Sequence, residues 1–341
     1  MTPFSLTRSW RLARVATAAL ALTAAALTVS GPATGGVAAA PGQAAAPTAA
    51  TLAGTPCTTT ASAGRVRPGA PDGTDPNDVS LAQTRQAEAG LAARVRQRGL
   101  STGRVALPST RIDVYVHVIE RSSGSGGVST SRIKKQIAVL NDAYAGKTSS
   151  ASTATPFTFK LKKIDRTHKT SWYHWDAPTD TSDGDDVAPK KALHRGDAGD
   201  LNLYLASLDD DLLGYSTFPF DTTLARDGVV VLNDTVPGGK ATGYNKGDTA
   251  THEVGHWLGL YHTFQNGCAA PGDMVADTPD QADGNDKFFC DDSDTCLTAG
   301  KDPVHNFMSY GNDKCLDRFS AGQVARMTTV WQTYRAPGAG L

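Results

Sequence analysis

The chain has 341 residues, of which 40% are hydrophobic, and its formal net charge at neutral pH is −1. This length and apolar content suffice for one or two domains with a buried core. The near-neutral charge argues against nucleic acid, and against stable association with an anionic membrane, as the main interaction.

The N-terminus has the features of a secretory signal peptide. Arg8, Arg11 and Arg14 precede the uncharged, Ala- and Leu-rich run Val15–Val29, and small residues follow that run. It is short and rich in small residues for a membrane span, although a retained membrane anchor is the alternative. We therefore predict a secreted, extracellular protein with a signal peptide over about residues 1–40.

Residues 41–108 are predicted to form a pro-segment, most of it flexible. The stretch from Ala33 to Gly73 is rich in Ala, Gly, Pro and Thr and has no hydrophobic periodicity. Ser80 to Arg98 is typical of a weak helix with Ser80 at its N-cap, and we assign it to the pro-segment. Basic residues between Arg94 and Arg111 offer several points for removal of this segment.

The catalytic domain is predicted over residues 109–341. Apolar residues alternate from Ile112 to Val118 and from Phe157 to Leu161, which indicates two strands, and a helix begins at Ser129 or Thr130 between them. Further strands are predicted at Leu201–Leu205 and Val229–Leu232. Strands and helices thus alternate ahead of the region that carries the chemistry, as in an α/β fold.

One short segment between those last two strands is a candidate substrate-binding edge. Gly214, Tyr215, Ser216, Thr217 and Phe218 read as a strand that ends before a proline, as edge strands often do. An ordinary loop is the alternative. An exposed edge here can bind an extended peptide by strand addition.

The segment from Thr251 to His262 reads H-E-x-x-H-x-x-G-x-x-H. His252 and His256 are four residues apart, so a helix places both imidazoles on one face, where they can hold Zn²⁺ at about 2.0–2.1 Å. Glu253 then lies beside the metal without binding it. A glycine three residues after the second histidine can end the helix in the left-handed conformation. This turn returns His262 as a third ligand and leaves a fourth position for water.

The alternative for this motif is an amphipathic helix with incidental histidines, in which Val254, Leu258 and Leu260 are simply core residues. Five fixed positions, one of them a glycine with a specific backbone role, favour a metal-dependent hydrolase instead. The helix is predicted to begin with Asp248 or Thr249 as its cap.

After the motif the chain becomes irregular and carries four cysteines. They are Cys268, Cys290, Cys296 and Cys315. Four cysteines allow three pairings, and a second zinc site is also conceivable, but export and the absence of a C-x-x-C pair favour two disulfides. Ser320 is predicted to begin a last helix.

His252, Glu253, His256, Gly259 and His262 resemble the metzincin clan of zinc endopeptidases. The run Asn306-Phe307-Met308-Ser309-Tyr310 is similar to the methionine turn of that clan. Within it the chain resembles the pappalysin family, and ulilysin-like secreted members in particular, from about Ile112 to Trp331. The resemblance implies a metzincin-like α/β fold with a twisted mixed sheet in its N-terminal subdomain. It also implies an irregular, disulfide-bonded C-terminal subdomain and an active-site cleft between the two.

The resemblance also implies roles for individual residues. Met308 packs beneath the zinc ligands, and Tyr310 helps to stabilise the oxyanion, for which a phenol is a suitable donor. Ordinary structural packing is the alternative for both. The family would pair Cys268 with Cys296 and Cys290 with Cys315.

Three further expectations follow from the same resemblance. Relatives bind calcium near the active site, and Asp273, Asp277 and Thr278 offer oxygen ligands for Ca²⁺; a solvated acidic loop is the alternative. Some relatives keep a pro-segment cysteine on the zinc, which makes Cys57 a candidate latency thiol, although Thr58 follows it where the family has glycine; an incidental leader cysteine is the alternative. Some also prefer a basic residue after the scissile bond, for which the pocket is expected near Leu316 or Asp317.

Together these observations predict a secreted zinc endopeptidase made as a latent precursor. A metal-activated water would attack the peptide bond, with Glu253 as general base. The partner is a protein or peptide substrate. The alternatives are a non-catalytic binding module that contains zinc and a zinc hydrolase of non-peptide substrates.

Overall fold

A mixed β-sheet forms the centre of the molecule. The structure is a computed structural model and describes residues 65–70, 75–76, 79–100, 107–175, 177, 186–208 and 211–341. The strands are β1 (Arg65–Val66), β2 (Thr110–Glu120), β3 (Phe157–His168), β4 (His174–Trp175), β5 (Leu201–Leu208), β6 (Leu212–Ser216) and β7 (Val229–Leu232). The α-helices are α1 (Leu81–Gln97), α2 (Thr130–Tyr144), α3 (Thr170–Tyr173), α4 (Val187–Leu193), α5 (Asp248–Trp257) and α6 (Ala321–Val330). A π-helical turn, Trp331–Arg335, continues α6.

The strands follow the order β1-β6-β7-β5-β2-β3, and β4 pairs with the end of β5. Strands β3, β2, β5 and β7 run parallel to their neighbours, whereas β6 is antiparallel to β7 and β1 is antiparallel to β6. A parallel neighbour requires a crossover, and α2 provides the one between β2 and β3. The sheet is therefore parallel through its middle and antiparallel at the edge that carries β6.

Both faces of the sheet are covered. Leu201, Leu203 and Leu205 of β5 lie in the main core with α2, α5 and α6, whereas Tyr204 and Ala206 belong to a second cluster on the opposite face. This division follows from the two-residue period of a strand. The α/β fold with a mixed sheet that the sequence predicts is confirmed.

Most predicted elements lie where the local pattern indicates. Strand β7 has the predicted bounds, and Ser80, Ser129 and Ser320 are the N-caps of α1, α2 and α6. Strand β3 begins at Phe157 as predicted but continues to His168, seven residues beyond the apolar alternation. Strand β3 is longer than predicted because it pairs with the whole length of β2.

Two predicted boundaries are wrong. The metal-motif helix α5 has Gly247 as its N-cap, at φ +107°, so neither Asp248 nor Thr249 caps it; Asp248 is its first residue and is buried. Strand β6 begins at Leu212 and ends at Ser216, so Thr217 and Phe218 lie outside it. Strand β6 extends as far as it pairs with β7 on one side and with β1 on the other.

The segment before residue 107 contains more structure than its composition predicts. Strand β1 lies within the stretch expected to be flexible, and Leu91 and Val95 of α1 pack against Val330 and Tyr334. A half-buried ion pair joins Glu88 of α1 to Arg326 of α6, with 2.5 Å between Oε1 and Nη2. The predicted signal peptide (residues 1–40) and Cys57 lie outside the described residues. Among those described, no helix is long and apolar enough to cross a membrane.

The chain after His262 has little regular structure until α6. Disulfides join Cys268 to Cys296 and Cys290 to Cys315, which is the pairing that the family resemblance implies. This irregular, cross-linked C-terminal part also agrees with the predicted architecture.

Candidate metal centre and active site

Helix α5 is buried along its whole length, and side chains of helix α2 hydrogen-bond to the backbone at its start. All ten residues are buried. Gln136 of α2 donates to the carbonyl of Gly247, and the Tyr144 hydroxyl donates to the carbonyl of Thr251. The helix is therefore a fixed platform for the side chains that its sequence motif carries.

Three imidazole nitrogens converge at this helix. His252 Nε2 lies 3.0 Å from His256 Nε2 and 3.1 Å from His262 Nε2, and the remaining pair is 3.0 Å apart. His252 Nδ1 donates to the carbonyl of Phe307 at 2.6 Å, and His256 Nδ1 donates to the carbonyl of Leu260 at 2.7 Å. Because a carbonyl can only accept, these Nδ1 atoms carry the protons and their Nε2 atoms carry lone pairs.

This donor set fits a tetrahedral cation. A zinc ion with ligands at about 2.0–2.1 Å would separate them by about 3.3–3.4 Å, close to the observed spacing. Burial, followed by the neighbouring imidazoles, lowers the pKa of His252 and His262, and burial lowers that of His256 to about 4. Neutral rings are the form that binds metal. In the described part of the chain, this is the one group of three or more His, Cys, Asp or Glu residues with its ligand atoms within 4.8 Å of one another.

The turn that returns His262 depends on Gly259. Its φ is +89°, and a Cβ there would lie 2.8 Å from the Val330 side chain of α6. A side chain would thus be strained both by the backbone conformation and by the close approach of α6. The His262 ring then stacks on Phe264, with ring centres 4.7 Å apart.

Met308, which the family resemblance places beneath the zinc ligands, packs against helix α5. It is fully buried, and its sulfur packs against Gly255, where any Cβ would overlap it. Gly255 stands between the two helical histidines, so the thioether supports this part of α5. The turn itself is held by Asn306, whose Oδ1 accepts from Met308 N and whose amide bonds Gln323 of α6.

Glu253 is fully buried next to the histidines on α5. Its Oε1 accepts a hydrogen bond from the backbone N–H of Arg65 at 3.1 Å, whereas its Oε2 has no hydrogen-bond partner among the described residues. Burial, and next the charge of Asp75, raise the pKa of Glu253 well above its ordinary range. One carboxylate oxygen thus touches a peptide nitrogen while the other is left for a further partner.

Tyr310 is brought to the same place from the other side. Its ring centre is 5.0 Å from that of His262 and 5.9 Å from that of His252. Its hydroxyl donates to Asp75 Oδ2 at 2.8 Å, so a residue from ahead of α1 holds the phenol. Burial is the main reason that the pKa of Tyr310 is raised, and it is therefore a hydrogen-bond donor.

The predicted substrate strand lies alongside Glu253, but its outer edge is occupied. Gly214 pairs with Val231 on one side and with Arg65 on the other, and Leu212 pairs with Val66. A Cβ at Gly214 would lie 3.0–3.1 Å from Thr249, from the Val230 carbonyl and from Glu253, so glycine permits the close approach of β6 to α5. Of the four predicted contact residues, Gly214, Tyr215 and Ser216 are in the strand, and Thr217 instead bonds Asp227.

The buried group beside Glu253 includes an acid, Asp313, that pairs with Arg65. Asp317 forms an ion pair with its neighbour Arg318, and Leu316 is buried in the main core. The buried carboxylate is Asp313, whose Oδ2 accepts from the backbone N–H groups of Lys246 and Gly247. In the sequence, Asp313 and Asp317 lie in the same short run, and their spacing does not show which of the two side chains is buried.

The predicted calcium residues form bonds within the protein. Asp273 accepts from Val275 N and from the Thr278 hydroxyl. Asp277 lies at the N-terminus of α6, where its two oxygens accept from the Ser320 hydroxyl at 2.6 Å and from Gly322 N at 2.8 Å. Calcium binding by these residues stays a prediction.

Comparisons with known proteins show that this chain is similar to metalloproteases. A family model described as pregnancy-associated plasma protein-A matches residues 202–332. The extracellular metalloprotease of Verticillium alfalfae is 41% identical over 257 residues, which cover 73% of this chain and 84% of that protein. The extracellular metalloprotease of Neurospora crassa is 40% identical over 256 residues, covering 73% and 82%.

Two solved structures have a fold similar to that of this chain. A mutant of Tannerella forsythia promirolysin superposes with a TM-score of 0.59 at 27% identity, covering 75% of this chain and 91% of that chain. Mature mirolysin in complex with a cleaved peptide gives a TM-score of 0.55 at 29% identity, covering 68% and 97%. The chain therefore belongs to the pappalysin family and is a metalloendopeptidase of the metzincin type.

Proposed function

We propose that the protein is a secreted zinc endopeptidase, made as a latent precursor, with His252, His256 and His262 as the zinc ligands. The observation that carries the proposal is the group of three Nε2 atoms 3.0–3.1 Å apart, with a buried carboxylate on the same helix. When bound, zinc polarises the scissile carbonyl and lowers the pKa of a water molecule to about 7.

Glu253 moves the proton in this proposal. Its Oε1 already lies at hydrogen-bond distance from a peptide N–H, and its Oε2 is unpartnered among the described residues. A carboxylate so placed can take a proton from the attacking water and deliver it to the nitrogen that leaves. The Tyr310 hydroxyl, once released from Asp75, is the donor for the oxyanion.

The substrate would lie where β1 lies now. An extended peptide added to the free edge of β6 places its backbone beside Glu253, and one side chain then enters the Asp313 pocket. Because that pocket holds a buried carboxylate and presently an arginine, we propose a preference for a basic residue after the scissile bond. The relative mirolysin is known in complex with a cleaved peptide, which supports a peptide substrate.

Secretion and latency have separate support. The fungal relatives are named extracellular metalloproteases, and the N-terminal sequence has the features of a signal peptide. The promirolysin structure covers 75% of this chain and the mature mirolysin structure 68%, in keeping with a pro-segment ahead of the catalytic domain. The contacts of Arg65 and Asp75 with Glu253 and Tyr310 give that segment a means of blocking the site.

A digest of a random peptide library tests the function. The protein freed of its pro-segment should cut peptides, a zinc chelator should abolish cutting, and added zinc should restore it. No cutting by protein that contains one zinc per chain would contradict the proposal, and would leave a binding module or a hydrolase of non-peptide substrates.

The same digest tests the pocket. Asp313→Asn should reduce kcat/KM for peptides with a basic residue after the cut by roughly 10–100-fold, because each charge-assisted bond is worth about 1.5–3 kcal/mol. Peptides with a neutral residue there should change little. Asp317→Asn is the control, since Asp317 pairs with Arg318 and should alter neither class.

A further inference from the structure

We propose that Lys287 is a positioning residue for the reaction, because its ammonium group holds the rings of Phe264 and Tyr310 in place around His262. This inference rests on the proposed function, since Tyr310 serves as the oxyanion donor only in a zinc endopeptidase. It is carried by the ring contacts of Lys287 and by the burial of its charge.

The ammonium group of Lys287 lies among aromatic rings. Lys287 belongs to a short 3₁₀ turn, Asn285–Phe288. Its Nζ is 4.7 Å from the ring centre of Phe264, 5.3 Å from that of Tyr310 and 5.6 Å from that of Phe288. A cation within about 6 Å of a ring centre is attracted to the ring, and more strongly where water is excluded. The Lys287 side chain is only 10% exposed, so little water competes with the rings.

Two of these rings surround the third histidine of the metal motif. Phe264 stacks on His262 with 6° between the ring planes, and it meets Tyr310 with ring centres 4.7 Å apart. Tyr310 in turn has its ring centre 5.0 Å from that of His262. Each ring of this group of three therefore contacts the other two, and Lys287 contacts both members that are not histidine.

Lys287 is itself held at two points. Its Nζ forms an ion pair with Asp283, whose side chain is 12% exposed. Its backbone carbonyl accepts a hydrogen bond from the hydroxyl of Ser309 at 3.4 Å, and Ser309 immediately precedes Tyr310 in the methionine turn. The rings thus pack against a cation that is fixed at its charged end and at its backbone.

This support matters most once the Tyr310 hydroxyl has left Asp75. In the proposed mechanism the phenol turns to the oxyanion, so its hydrogen bond to Asp75 no longer orients it. The contacts of its ring with Phe264, Phe288 and Lys287 do not involve the hydroxyl. They can therefore keep the donor beside the metal site, and a donor held in advance is what stabilises a developing oxyanion.

A second lysine in the same part of the chain supplies a matched control. Lys301 pairs with Asp292 at 2.6 Å, and these two side chains are 66% and 70% exposed. Both lysines thus pair with an aspartate after the metal motif, but of the two only Lys287 lies over aromatic rings of the described residues. Methionine at either position removes the charge and keeps a side chain of similar length.

The experiment compares the wild type with Lys287→Met, Tyr310→Phe and the double variant, each folded as the full-length chain and then freed of its pro-segment. Lys287→Met should lower kcat for a peptide substrate about tenfold and change KM less than about twofold, because the oxyanion forms only in the transition state. Tyr310→Phe should lower kcat by roughly 10²–10³-fold through loss of the donor. In the double variant, Lys287→Met should lower kcat by less than about threefold further, since no hydroxyl remains to be positioned.

A second readout needs no catalysis. Competition with a chelator measures the zinc affinity of the full-length proteins. Lys287→Met should weaken this affinity on the order of tenfold, because Phe264 loses part of its support against His262. Lys301→Met should leave kcat, KM and zinc affinity at the wild-type values. Thermal unfolding of every variant checks that it folds.

Two outcomes would overturn the inference. One is a folded Lys287→Met protein in which either kcat or zinc affinity equals that of the wild type. The other is an equal loss of kcat with and without the Tyr310 hydroxyl, which would mean that Lys287 acts independently of Tyr310. Both leave the proposed function standing, because the wild type still cuts peptides. A wild type that contains zinc and cuts no peptide contradicts the proposed function instead.

Discussion

The two halves of the chain from β2 onward, before and after the metal motif, are stabilised by different means. Before the metal motif, long strands pair through their backbones, and every residue of β2 has a partner in β3. After His262, most of the stabilising contacts come from side chains. Asp302 accepts hydrogen bonds from Ser293 and Thr295, Asp277 bonds the start of α6, and two disulfides close the loops. A sheet tolerates the loss of a single side-chain contact, whereas the C-terminal part has few redundant bonds. The three converging histidines, His252, His256 and His262, lie where the two halves meet.

Asp227 links the two halves. It precedes β7, and its carboxylate accepts from Trp257 Nε1 in α5 and forms a two-pronged ion pair with Arg335, at 2.9 and 3.0 Å. Both charged side chains are fully buried. Asp227→Ala should lower the free energy of unfolding by about 3–5 kcal/mol, because it leaves the Arg335 charge buried and unpaired.

Chemical denaturation measures this effect. Asp142→Ala is the matched control, since the Asp142–Lys147 pair is exposed and is expected to contribute under about 1 kcal/mol. Equal effects of the two substitutions would mean that the buried pair does not join the halves.

The disulfides come next in expected effect. Replacing Cys268 and Cys296 with serine opens a loop with a sequence separation of 28 and should lower the free energy of unfolding by about 3 kcal/mol. Hydrogen exchange should then accelerate between residues 263 and 305 while β2 and β3 keep their protection. Faster exchange in those strands as well would show that the two halves do not differ in the way described.

The smallest predicted effect concerns pH at the junction of the halves. Asp248 begins α5, and burial, followed by the charge of Asp313, raises its pKa from 3.8 to about 7. Between those values the folded protein keeps a proton that the unfolded chain has lost. Raising the pH from 5 to 6 should therefore lower the free energy of unfolding by about 1.4 kcal/mol through this group.

Denaturant unfolding of the wild type and Asp248→Asn at both pH values isolates the contribution. The variant has no proton to lose at this position, so its stability should fall less over that interval. An identical fall in both proteins would assign the pH dependence to other groups.

The same contrast explains what could be predicted from the sequence. Strand β7 and the N-cap serines Ser129 and Ser320 could be predicted from local sequence patterns. The H-E-x-x-H-x-x-G-x-x-H motif could also be predicted, because one helix and the turn after it are enough to bring its histidines together. The enzyme class followed from that motif.

The remaining features depend on distant contacts. Strand β1 is two residues long and begins with an arginine, so no alternation marks it; only the edge of β6 makes it a strand. Asp313 and Asp317 are equivalent in sequence, and only the fold buries one of them. Gly247, at φ +107°, is the N-cap of α5, and Asp248 is its buried first residue, which the local sequence pattern does not reveal.

The most direct test of the central claim compares the wild type with Glu253→Gln after limited proteolysis has removed the segment before residue 109 from both. Zinc content and peptide hydrolysis are measured on the same samples. We expect one zinc per chain in each protein and a kcat/KM lower by roughly 10²–10⁴-fold in the variant, because the ligands are intact and the general base is lost. A variant that binds zinc and retains activity within tenfold of the wild type would contradict the assignment of Glu253 and, with it, this account of the active site.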